Sequence, residues 1–130
     1  MILIDTDICI EILRGNRKVI KKSSQYNGVI AVSFMTVGEL HYGVHNSGDP
    51  EKNELLVEQF LLTVDVIESD FNIMRRFGII KSELKTSNIL LPDADILIAA
   101  TVLEKCDMLI TGNTKHFERI DGLVIEDWRV

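Results

Sequence analysis

Cysteine is scarce in this chain of 130 residues: only Cys9 and Cys106 occur. They are too few and too isolated for a metal knuckle, and nothing points to an oxidising compartment. Long apolar runs are also missing. The longest, Ile96 to Ala100, is cut short by Thr101, so no stretch approaches the length of a membrane span. Met1-Ile2-Leu3-Ile4 runs straight into Asp5 without a basic n-region or cleavage site. No secretory leader is therefore expected, and the cytoplasm is the expected compartment. There are no internal repeats, low-complexity tracts or linkers, so one compact domain over residues 1–130 is expected.

Positive charge is in deficit as well. The formal net charge of −6 argues against a nucleic-acid partner, because phosphate binding is usually carried by clustered Lys and Arg. The objection weakens if the acids are gathered in a site that holds divalent cations, since a bound metal reverses the local field. The bases fall into two groups: Arg14, Arg17, Lys18, Lys21 and Lys22, then Arg75, Arg76, Lys81 and Lys85. Solvated helix surface accounts for each of them more simply than RNA contact.

What is present is an ordinary globular balance, 46% hydrophobic and 26% charged, arranged as short apolar runs alternating with helical patterns. Met1–Ile4 reads as a strand buried on both faces. Thr6 or Asp7 is the expected cap of a helix over Ile8–Arg14, ended by Gly15-Asn16. A helix over Arg17–Gln25, a strand over Val29–Val32 and a helix from an Ser33 cap to about His45 follow. Pro50 opens the next helix, to about Leu62. Val64–Ile67 is a strand, and Ser69 or Asp70 caps a helix to about Lys85. After the Thr86–Pro92 loop an apolar helix runs to Lys105, then come a strand over Met108–Thr111, a helical turn over Asn113–Phe117 and a strand over Leu123–Glu126. This alternation predicts an α/β fold with a parallel sheet covered on both faces.

In such a sheet, ligands bind beyond the carboxyl ends of the strands. Asp5 follows the first strand directly, with Asp7 two residues on; an acid in that place serves either a ligand or a helix cap. Glu39 lies in the otherwise apolar segment Val32-Ser33-Phe34-Met35-Thr36-Val37-Gly38-Glu39-Leu40, with Thr36 beside it on one helix face. A carboxylate there is paired, protonated, metal-bound, or reaches solvent from the boundary. Asp93 and Asp95 open the apolar helix Ile96-Leu97-Ile98-Ala99-Ala100. Asp93 after Pro92 reads first as an N-cap, and Asp95 lies in a turn where the helix dipole favours negative charge. Thr111-Gly112-Asn113 follows another strand and emerges at the same edge as Asp5.

Together these segments resemble the PIN-domain ribonucleases, and specifically the VapC-type toxins of prokaryotic toxin–antitoxin pairs. Ile4-Asp5-Thr6-Asp7-Ile8-Cys9 with Leu13-Arg14-Gly15 resembles the first motif of that family, which usually has Asn in place of Asp7. Thr36, Glu39-Leu40 and Gly43 are similar to the second motif, and Asp95-Ile96-Leu97-Ile98-Ala99-Ala100 to the third. Leu109-Ile110-Thr111-Gly112-Asn113, Phe117 and Gly122-Leu123 through Asp127-Trp128 resemble the C-terminal signature. The resemblance covers essentially the whole chain with the motifs in order. It implies a three-layer α/β/α PIN-like domain with a central, mainly parallel sheet, and an acidic core of Asp5, Glu39 and Asp95. It places Asn113 at a fourth position often filled by Asp, with Asp7 and Asp93 at the margin of the metal site. It also implies Mg²⁺ or Mn²⁺ as cofactor, RNA as substrate, a cognate VapB-type antitoxin that delivers a basic side chain to the acidic pocket, and a homodimer. No histidine general base is needed, and the three histidines are expected outside the carboxylate set.

Other readings compete. Asp5-Thr6-Asp7 after a strand also begins haloacid-dehalogenase-type phosphatases, but here the later acids precede a helix rather than follow a strand. A receiver domain needs a phospho-acceptor Asp after its third strand, and Asp49 stands in a loop. His41 and His45 have zinc-ligand spacing without a third ligand. A catalytically silent PIN-like interaction protein is the remaining alternative, and retention of every core acid speaks against it.

Overall fold

The computed structural model describes residues 1–130. Five short strands form one sheet: β1 (Ile2–Ile4), β2 (Ile30–Ser33), β3 (Asp65–Ile67), β4 (Met108–Ile110) and β5 (Ile125–Glu126). Their order is β3-β2-β1-β4-β5, and every neighbouring pair is parallel. The helices are α1 (Thr6–Leu13), α2 (Arg17–Gln25), α3 (Phe34–His45), α4 (Pro50–Leu61), α5 (Phe71–Thr86), α6 (Asp93–Lys105) and the single turn α7 (Thr114–Phe117). No helix is long and apolar enough to cross a membrane.

Strand β1 explains the layering. Its side chains alternate between faces: Ile2 and Ile4 pack with Ile8, Val19, Leu40 and Phe60, while Leu3 packs with Ile73, Ile96, Ala99 and Phe117. All three are buried, which is why the run is wholly apolar rather than alternating. Two hydrophobic cores therefore lie on opposite faces of one sheet, giving the α/β/α arrangement.

Helix starts follow local chemistry. Ser33 accepts hydrogen bonds from the Met35 and Thr36 amides, Asn16 from Lys18 and Val19, Asp49 from Lys52, and Asp70 from Ile73. Gly15, at φ +83°, ends α1 in the left-handed conformation that glycine adopts freely.

Two expected caps are corrected. Helix α1 is capped by Asp5, not by Thr6 or Asp7: Asp5 Oδ1 accepts from the Thr6 amide at 2.8 Å. Helix α6 has Pro92 at its N-cap with no side-chain cap bond. Asp93 is already helical, so its backbone lacks the extended conformation a capping residue needs; its carboxylate pairs with Lys81 Nζ at 2.9 Å instead. Several strands are also shorter than the apolar runs that announce them, β5 beginning at Ile125 rather than Leu123.

Candidate metal-binding active site

The strand order sets the position of the site. From β1 the chain builds outward through β2 to β3, then returns to the other side of β1 with β4. The crevice between the carboxyl ends of β1 and β4 is therefore the topological switch point, where open parallel sheets bind ligands. Asp5 leaves β1 at that point, and Thr111-Gly112-Asn113 leaves β4. The two segments are joined directly. The Asp5 amide donates to Ile110 O at 2.8 Å, the Thr111 hydroxyl donates to Asp5 Oδ2 at 2.7 Å, and the Gly112 amide donates to Asp7 Oδ2 at 2.9 Å.

Asp5 is a buried carboxylate, only 6% exposed. Burial, reinforced by the negative charge of Asp7 and, more weakly, of Asp95, pushes its carboxyl up to about 7, against the bonds from Thr111 and Thr6 that favour the anion. Burial likewise raises Asp7, opposed by the Gly112 amide and the Arg129 guanidinium. Asp7 Oδ1 is buried without a hydrogen-bond partner. Cys9 lies beneath these acids with its thiol held well above the usual range by burial, so it is a neutral core residue.

Glu39 arrives from α3. Its Oε1 accepts from the Thr6 hydroxyl at 2.7 Å, and the same hydroxyl lies 3.0 Å from that of buried Thr36. Glu39 is thus tied to the first residue of α1. Asp95, in the first turn of α6, contributes Oδ2, which lies 2.7 Å from His116 Nδ1; Asn113 Nδ2 is 2.8 Å from the same nitrogen. Asp93 stands apart, 60% exposed on the helix surface with Lys81.

Each acid therefore has a separate partner: Thr111 for Asp5, Gly112 for Asp7, Thr6 for Glu39, His116 for Asp95. No three carboxylate, histidine or cysteine side chains converge into a ready-made metal cage. The donors nonetheless suit a hard divalent cation. Mg²⁺ keeps several waters and needs only one or two carboxylates from the protein. A desolvated Asp5 and an unpartnered Asp7 oxygen are anionic groups whose burial a cation would offset.

The expectation that every histidine lies outside the carboxylate set is overturned by His116. It enters because α7 is a single turn starting at the edge of β4, which puts Asn113 and His116, three residues apart, on one side of it. That spacing after a strand end was the available signal. Arg129 was also missed. Its Nη2 donates to Gly112 O at 2.9 Å while Asp127 holds the guanidinium, and a Cβ at Gly112 would meet Arg129 Cζ at 2.1 Å. Glycine at 112 therefore leaves room for the C-terminal clamp that places a positive charge near Asp7. His41 bonds Glu54, across to α4, rather than joining His45 in a zinc site.

A description of the PIN domain matches residues 2–123. The chain belongs to the PIN-domain family. Among its relatives, ribonuclease VapC2 of Haemophilus influenzae is 33% identical over 127 residues, covering 97% of this chain and 96% of that protein. The tRNA(fMet)-specific endonuclease VapC of Shigella flexneri is 32% identical over the same shares of both chains. The toxin fold recurs in the DNA-bound VapBC structure from Salmonella typhimurium, at 29% identity and TM-score 0.92, covering 98% of this chain and 97% of that one. As a PIN-domain protein of the VapC type, the chain is a nuclease, which sets aside the phosphatase and receiver readings. Divalent-metal dependence belongs to this family's chemistry, and the acids at the β1–β4 crevice occupy the place where that chemistry requires them.

Proposed function

We propose that the chain is a metal-dependent endoribonuclease, the toxin of a type II toxin–antitoxin pair, acting as one domain over residues 1–130 in the cytoplasm. Asp5, Glu39 and Asp95 are its acidic core and Asn113 its fourth site residue, with Mg²⁺ or Mn²⁺ as cofactor. The observation that carries this reading is the placement of buried Asp5 at the switch point, electrostatically coupled to Asp95 and bonded to the Thr111 hydroxyl.

The residues divide the work. Thr111 and the Thr6 amide hold both oxygens of Asp5 in fixed directions, so its carboxylate meets a cation without reorganising. Thr6 restrains Glu39 at the opposite wall. Asp7 and Arg129 fix the Gly112 backbone from two sides, which sets where Asn113 projects. A bound divalent cation supplies a water of lowered pKa and neutralises charge on the scissile phosphate. Asp93 is outside this machinery, occupied by Lys81.

An apolar groove of about 260 Å³ runs between α1, α3 and α4, walled by Leu13, Leu40, Val44, Leu56 and Val57, with Glu39 and Arg14 on its rim. It suits an apolar antitoxin segment that brings a basic side chain to the acids, a charge-complementary plug. A homodimer is the expected assembly of the free toxin. Purified, partner-free protein should cleave RNA with Mn²⁺ or Mg²⁺ and stop in EDTA, and its expression without antitoxin should arrest growth. Undiminished cleavage in a chelator sinks the metal chemistry, and harmless expression of soluble, metal-competent protein counts against the toxin role.

A further inference from the structure

Three polar groups meet at the mouth of the crevice: Asp95 Oδ2, His116 Nδ1 and the Asn113 side-chain amide. The nitrogen lies 2.7 Å from the carboxylate oxygen and 2.8 Å from the amide. Protons alone do not satisfy all of them. With a proton on Nδ1, the ring donates to Asp95, but that N–H faces the N–H₂ of Asn113. Without it, the ring accepts from Asn113, but its lone pair faces a carboxylate lone pair. A half-turn of the amide, which exchanges its oxygen and nitrogen, leaves three atoms with lone pairs turned toward one region. Such a convergence is what a cation resolves. The contact lengths also agree with that environment, since neighbouring donors around an octahedral ion with bonds of about 2.1 Å lie about 3 Å apart.

We infer that His116 Nδ1 is a direct ligand of the catalytic cation, beside Asp95 and the Asn113 oxygen, so that this chain has a mixed nitrogen–oxygen metal site. The inference rests on the reading of Asp95 as a metal ligand. His116 is 41% exposed on its side chain and Asp95 16% exposed, so an ion with its waters reaches both from solvent. The consequence is selectivity. Imidazole nitrogen strengthens binding along the transition-metal series far more than it strengthens binding of Mg²⁺, which prefers oxygen. The protein should therefore discriminate for Mn²⁺ over Mg²⁺, and more strongly for Co²⁺, beyond what an all-oxygen site gives.

The test is pulsed electron paramagnetic resonance of Mn²⁺ bound to the whole purified protein, with affinities for Mn²⁺ and Mg²⁺ measured by titration calorimetry. Wild type should show a coupling from a directly bound ¹⁴N nucleus that converts to ¹⁵N when the histidines are isotopically labelled. His116→Ala should abolish it and weaken Mn²⁺ binding at least about ten-fold while changing Mg²⁺ affinity far less. His116→Glu should restore Mn²⁺ binding without any nitrogen coupling and narrow the preference for Mn²⁺ over Mg²⁺. Mn²⁺ that binds without nitrogen coupling, in protein whose RNA cleavage stops in EDTA and on Asp95→Asn, overturns the histidine ligand and leaves the nuclease reading standing. Protein that neither binds Mn²⁺ nor cleaves RNA overturns both.

Discussion

Replacing Asp5 by Asn should stabilise the metal-free protein, by an amount that depends on pH. Burial and the neighbouring acids hold the Asp5 carboxyl at about 7 in the folded chain, against 3.8 for the ordinary group. A group whose folded pKa is raised contributes its full stability below the unfolded value and loses it as pH rises toward the folded value. Between pH 4 and pH 7 the unfolded chain ionises Asp5 freely while the folded chain resists. About three pH units at 1.36 kcal/mol each amount to about 4 kcal/mol. Asn escapes that loss. Its oxygen still caps α1 through the Thr6 amide, and its N–H₂ meets the Thr111 hydroxyl, which accepts as well as it donates. Urea unfolding in EDTA should show wild type and Asp5→Asn nearly equal at pH 4, with the variant ahead by up to about 4 kcal/mol at pH 8. Saturating Mn²⁺ should shrink or reverse the gap at pH 8, because a bound cation stabilises only the protein that holds it. A difference that is flat with pH, or a variant weaker than wild type at pH 8 in EDTA, would refute the account of Asp5 as a desolvated, repelled carboxylate.

Other expectations follow from the separate partners of each acid. Asp95→Asn and Glu39→Gln should each lower RNA cleavage at least about 100-fold, the scale of losing one preorganised electrostatic contact, with the circular dichroism of the fold unchanged. Retention of near-normal turnover by Asp95→Asn removes it from the core. Asp7→Asn should keep cleavage within a few-fold at saturating Mn²⁺, because an amide oxygen still accepts from the Gly112 amide; collapse of turnover with unchanged melting temperature would enlarge the site. Asp93→Ser should cost less than about 1 kcal/mol, since it breaks only an exposed ion pair, and leave turnover intact. Asp49→Ala, which removes a true helix cap, should cost about 1 kcal/mol in the same unfolding assay.

The alternation of apolar strands and helices was legible because it records burial. Ile2-Leu3-Ile4 is apolar throughout because both faces of β1 are covered, and Ser33 stands where the first amides of α3 need an acceptor. Cap choice was less legible. Asp5, Thr6 and Asp7 are all competent cap residues, and which one caps depends on where β1 lets go of the sheet. Asp93 has the composition of a cap but the backbone of a helix, and Lys81, twelve residues earlier on α5, claims its charge.

By itself the sequence determined the elements, the parallel α/β class and the set of acids at strand ends and helix starts, because these are local patterns of hydrophobicity, capping and order along the chain. Only the tertiary structure decided what each acid touches. Thr111 reaches Asp5 across 106 positions and Glu39 reaches Thr6 across 33, separations over which no local pattern carries information. His116 belongs to the same class. Its nitrogen meets Asp95 because β4 lies beside β1 and a one-turn helix turns its side chain back over the crevice, and hydrogen bonding depends on distance in space rather than spacing along the chain.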